Sequence, residues 1–169
     1  MYQYYATVNY RTCERCLLRH GEIFSDLKDA PPIHQGCRCL CLEFEESELE
    51  KYKEKGKRMK IKAEREFKRR KLFQAAVEAL GKDSQKSIKL FREAVSIEIY
   101  LPEIEELFCK KKALIKGDSK LAKSLRNIFI QGYWDKFDQE KYNNMPEGML
   151  ATQQAYGLKR IRELFDEAI

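Results

Sequence analysis

Cys13-Glu14-Arg15-Cys16, then His20, then His34-Gln35-Gly36-Cys37-Arg38-Cys39-Leu40-Cys41: this stretch gathers five of the chain's six cysteines and both of its histidines. Thiolate and imidazole are the preferred donors of tetrahedral zinc, and a Cys-x2-Cys pair sets two thiolates on one tight turn, as neighbouring corners of a tetrahedron require. A segment this short buries too little apolar surface to hold a fold alone. The spacing therefore predicts a small zinc-ribbon-like β module over residues 1–44, stapled by Zn2+. Cys13 and Cys16 supply the first pair. For the second, His20, His34, Cys37, Cys39 and Cys41 compete for two places. His34 and Cys37 repeat the x2 spacing, and Gly36 lets the chain turn tightly just before Cys37. Cys39 is the first substitute, because alternate residues of a strand share a face.

Three other readings of the cysteines stand beside this one. A disulfide framework needs an oxidising compartment. Met1 is followed by Tyr2-Gln3-Tyr4-Tyr5, without the basic start or long apolar run of a secretory leader, so secretion is not expected. Incidental free thiols leave the x2 spacing unaccounted for. A catalytic zinc keeps one position open, whereas here donors are in surplus. A structural metal site is the expectation.

The order of residues goes further. Arg11-Thr12-Cys13-x2-Cys16, then Leu18-x-His20-Gly21-x-Ile23-Phe24, then Pro31-Pro32-x-His34-x2-Cys37-Arg38-Cys39 resembles the C-terminal module of the minor head morphogenesis proteins of tailed phages, the phage Mu protein F-like family. That family's pattern runs Cys-x2-Cys, a Leu-His-Gly-x-x-Phe-like stretch, a variable loop and Pro-Pro-x-His-Pro-x-Cys-Arg-Cys. This chain departs from it at Gln35, where the family has proline, and in the extra Cys41. The resemblance covers residues 10–44. It implies a virion component or head-assembly factor near the portal, acting in head assembly or DNA packaging. Portal or capsid proteins would be its partners, and the virion or host cytoplasm its location. Family members carry a long helical region before this module, whereas here a helical region follows it. Sharing a module does not by itself carry over a role.

Of the 169 residues, 43% are hydrophobic and 36% charged, which permits a core under a heavily solvated helix surface. The net charge of +6 is unevenly spread: residues 43–54 hold six glutamates and two lysines, and residues 55–71 hold ten Lys or Arg and two glutamates. An acidic-to-basic switch along one helix is a polarity that suits an acidic partner. DNA, held by its phosphates, is the candidate, through Lys57, Arg58, Lys60, Lys62, Arg65, Lys68, Arg69 and Arg70. A zinc-ribbon nucleic-acid-binding regulator is accordingly the alternative function, and a merely wet helix face is the bland reading of the same charges.

After Phe44, apolar residues recur at helical spacing and strand signals stop. Residues 45–80 read as one long charged helix, interrupted in composition by Gly56 and stopped at Gly81. Ser84 or Ser87 caps a second helix carrying Ile88, Phe91, Val95 and Ile99. Pro102 opens a third with Ile104, Leu107, Phe108 and Ile115, and Gly117-Asp118-Ser119 turns and caps a fourth with Leu121, Leu125, Ile128 and Phe129. Residues 149–168 form the last, with Ala151, Ala155, Leu158, Ile161 and Phe165 inward. The whole is mainly α: the β module, then an all-helical domain of about five or six helices over residues 45–169. Tyr133, Trp134, Phe137 and Tyr142 form an aromatic patch read as core, and Cys109 reads as a buried, inert thiol. No phosphate loop, nucleophile elbow or His-Glu-x-x-His is present, so no enzyme is expected.

Overall fold

The computed structural model of the chain describes the backbone of residues 1–135 and 147–169, and side chains over 1–135 and 155–169. The chain forms two compact units, Met1–Lys68 and Arg69–Ile169. The division between these units falls within the long helix.

In the first unit, strand β1 (Tyr2–Tyr5) lies between β2 (Ile23–Phe24) and β3 (Leu40–Glu43) in an antiparallel sheet. Tyr2 pairs with Phe24 on one side, and Tyr4 pairs with Cys41 on the other. A short helix, α1 (Glu14–Arg19), follows Cys13, whose own sulfur caps it by accepting the Cys16 N–H. The buried core of this module is small: Tyr4, Ala6, Cys16 and Phe24, with Cys13, Cys37, Cys39 and Cys41 packed against it. Sulfur replaces the aliphatic bulk that a self-sufficient core needs.

Helix α2 (Leu49–Ala79) starts within this unit. Tyr52 stacks on Phe44 with ring centroids 4.1 Å apart, and fully buried Gln3 donates to the Tyr52 carbonyl at 2.8 Å. Gly56, which looks like a breaker in the sequence, sits where the helix backbone meets Gly21. A Cβ on Gly56 would lie 2.6 Å from the Gly21 carbonyl oxygen, and one on Gly21 (φ +84°) would lie 2.6 Å from the Gly56 oxygen. Both obstacles are backbone. Gly56→Ala, which ordinarily strengthens a helix interior by up to about 1 kcal/mol, is therefore expected here to destabilise the module by about 1–3 kcal/mol. Thermal melting with limited proteolysis of residues 1–68 checks the sign, and a raised melting temperature would contradict the contact.

The second unit comprises the end of α2, then α3 (Ser84–Ile97), α4 (Leu101–Lys116), α5 (Ser119–Asp135) and α6 (Glu147–Asp166). Pro102 lies in the first turn of α4, where a missing N–H costs nothing. Asp118 caps α5, accepting from Leu121 N at 3.0 Å. The cap of α3 is Asp83, which accepts from Lys86 N at 2.9 Å, not either serine. Ser87 is instead buried and donates to the Ala76 carbonyl at 2.9 Å. Five phenylalanines run through the core, mostly edge to face: Phe73 on Phe91, Phe91 on Phe129, Phe129 on Phe165 and Phe165 on Phe108, with centroids 5.1–5.7 Å apart. The periodic residues Ile104, Leu107, Ile115, Leu121, Leu125 and Ile161 fill the space around them.

Three expectations about single residues are corrected. Ala155, read as facing inward on the last helix, is exposed. Cys109 is exposed, because it follows core-facing Phe108 by a third of a helical turn. Within the aromatic patch, Tyr133 packs against the core while Trp134 is 49% exposed, and Phe137 and Tyr142 lie outside the described residues, as does the side chain of Ala151. Among the described residues no helix is long and apolar enough to cross a membrane.

Candidate metal centre

The Cys-x2-Cys pair is built by the first turn of α1. Cys13, in extended backbone at the N-cap, turns its sulfur back over the helix start, and Cys16 enters the core one turn later at 2% exposure. The second arm comes from the loop before β3. Gly36 adopts φ +77°, with no atom near a would-be Cβ, so the glycine is required by backbone conformation alone. The turn closes by Cys37 N–H donating to the His34 carbonyl at 3.1 Å.

These arms bring the five expected residues, Cys13, Cys16, His34, Cys37 and Cys39, around one hollow. Donor atoms of Cys13, Cys16 and His34 lie within 4.8 Å of one another, and so do those of Cys16, Cys37 and Cys39. Cys16 belongs to both groups. Its sulfur is 3.1 Å from His34 Nε2 and 3.7 Å from Cys37 Sγ, while Cys13 Sγ is 3.0 Å from the same His34 nitrogen. His34 Nδ1 faces the Gln35 carbonyl at 2.9 Å. Donating a proton there leaves Nε2 as the lone-pair nitrogen facing the sulfurs, the tautomer that a metal ligand requires.

The competitors are set aside by position. His20 is buried at the end of α1, its Nδ1 accepting Ala6 N–H at 3.0 Å and its ring edge-on to Tyr5. Burial, with Lys62 nearby, lowers its pKa to about 4, so it is a neutral structural imidazole. Cys41 lies opposite Tyr4 in the sheet, outside both donor groups. No disulfide joins the cysteines among the described residues.

Tyr4 is the residue that sequence reasoning missed. Fully buried in β1, its hydroxyl donates to Cys16 Sγ at 3.6 Å and lies 3.7 Å from Cys37 Sγ. Burial, reinforced by the Cys39, Cys16 and Cys37 sulfurs, pushes its ionisation far above the ordinary tyrosine range, so it remains a proton donor. The only sequence signal was its place in an aromatic run at a strand start.

Charge decides what this cluster can do. For Cys37, burial pushes the thiol up, but hydrogen bonds from the backbone of Cys39 and Ile33 and from Tyr4 outweigh it and bring the pKa to about 6. At Cys13, burial is likewise outweighed by the Cys16 N–H and by His34, and the thiol is lowered. Cys16 is raised, by burial first and then by the neighbouring sulfurs against the opposing Tyr4 hydroxyl. Burial also raises Cys39. His34 is raised, first by its bond to the Gln35 carbonyl and then by the Cys13 sulfur. Two thiols are thus shifted towards the thiolate, and two more are shifted away from it by burial and by crowding with neighbouring sulfurs. A cation between them removes both penalties. The donor set fits a metal ion.

The basic residues divide. Lys57, Arg58, Lys60, Lys62, Arg65 and Lys68 are exposed along α2, and Arg70 is half-buried. Arg69 is fully buried, forked onto Glu103 at 2.7 and 3.2 Å, with its guanidinium 4.9 Å from the centre of the Tyr100 ring. It belongs to the core and is removed from any nucleic-acid face.

No family model, curated protein or solved structure matches this chain.

Proposed function

We propose that this chain is a non-enzymatic assembly protein of the phage minor head type, in which Zn2+ staples a docking module to be presented with a helical body. The observation that carries it is the convergence of the Cys13-to-Cys39 pattern on one cluster of donors. Zinc is the ion this donor set favours, since four or five sulfur and imidazole donors and no carboxylate face the centre. The Cys16–Cys37 separation of 3.7 Å matches the tetrahedral edge of about 3.8 Å that follows from Zn–S bonds of about 2.3 Å. The His34 contacts of 3.0 and 3.1 Å lie about 0.5 Å inside the corresponding nitrogen–sulfur edge. A full complement of protein donors leaves no open coordination position for substrate, which supports a structural rather than catalytic role.

Portal or capsid proteins are the proposed partners, on the strength of the residue pattern at Arg11–Cys39. Sedimentation of lysates from cells forming phage particles tests this. The chain is expected in the particle fraction with procapsids or portal. A chain that stays wholly in the supernatant while particles form would contradict the assignment.

A further inference from the structure

The basic half of α2 is a surface that the metal module does not use. At its start the helix neutralises itself: Lys51 pairs with Glu48 at 2.8 Å, Lys53 with Glu50 at 2.6 Å and Lys57 with Glu54 at 3.3 Å. Arg58, Lys60, Lys62, Arg65 and Lys68 are exposed and have no ion-pair partner among the described residues.

Helical geometry orders these charges. At about 100° per residue, Arg58, Lys62, Arg65 and Lys68 fall within an arc of about 120°. Gly56, Met59, Ala63 and Glu66, all buried, occupy the opposite side. From Arg58 to Lys68 the helix rises about 15 Å, which spans about four phosphates of one strand at about 3.4 Å each. We infer that this face of α2 binds the phosphate backbone of duplex DNA, without reading its bases.

The alternatives fit the face less well. A protein interface is centred on aromatic or aliphatic anchors, and this face carries no aromatic residue and a single exposed aliphatic, Ile61. A membrane-surface helix needs an apolar side to insert, and the apolar side here is buried. The inference is independent of the head-assembly reading and of the metal.

Fluorescence anisotropy of the full chain, metal bound, with a labelled duplex of about 20 base pairs tests it. Four phosphate contacts predict a slope of about −3.6 in log affinity against log salt, a fall of roughly 150-fold from about 50 to about 200 mM. The triple variant Lys62→Gln/Arg65→Gln/Lys68→Gln is expected to flatten that fall to roughly 3.5-fold, from the one contact left. Lys62→Arg/Lys68→Arg should retain the original slope. Absence of duplex binding at low salt, an unchanged slope in the triple variant, or preference for polyglutamate or phosphatidylserine vesicles over duplex would each overturn the proposal. The wild-type slope is read without any variant, so it stands even if the triple variant fails to fold.

Discussion

Cys16→Ser is expected to abolish metal binding and unfold the β module while leaving the helical unit intact. Cys16 is the one donor common to both clusters, is 2% exposed, and receives the Tyr4 hydroxyl. Replacing it breaks the Cys13–Cys16–His34 set and the Cys16–Cys37–Cys39 set together. Structural zinc contributes on the order of 10 kcal/mol to modules of this size, far more than so small a buried core supplies. The second unit, with its own phenylalanine core, does not depend on that energy. Protease resistance of residues 1–44 should be lost and most far-ultraviolet helix signal kept. Cys41→Ser, outside both donor sets, should leave metal content and resistance unchanged. A Cys16→Ser chain that retains metal and resists protease would remove Cys16 from the centre.

Arg69→Met is the second large effect, and it acts on the other unit. Removing the guanidinium takes from the Glu103 carboxylate, whose side chain is only 16% exposed, both hydrogen bonds it accepts from Arg69, and takes the cation from the face of Tyr100. Breaking a buried pair from one side costs about 3–5 kcal/mol, whereas replacing both partners with apolar residues is often nearly neutral. Arg69→Met alone should therefore lower the chemical denaturation midpoint sharply, and adding Glu103→Leu should recover most of the loss. Equal destabilisation in the single and double variants would show that the ion pair is not what Arg69 contributes.

Much of this architecture was legible in the residues. Apolar spacing marks the faces of α3 to α5 down to Phe91, Leu125 and Phe129, because an amphipathic helix writes its buried stripe into its own sequence. The clustering of candidate donors was legible too, since Cys-x2-Cys is a local geometric device. What escaped was set by contacts between distant segments. Arg69 sits in a basic run indistinguishable from its exposed neighbours until Glu103, 34 residues later, is placed against it. Gly56 reads as a weak point until Gly21 arrives on the other side of it. Tyr4 is only one member of an aromatic run until sulfurs from two separate arms meet its hydroxyl. The choice of Asp83 over Ser84 as cap is a shift of one residue, within the usual uncertainty of helix ends.

Intact-mass spectrometry of the natively purified, reduced chain reads the proposed bound ion directly. The predicted spectrum shows a single zinc increment under native conditions that disappears on acid denaturation. A chain that carries the bare polypeptide mass under native conditions would contradict the metal centre and the module built around it.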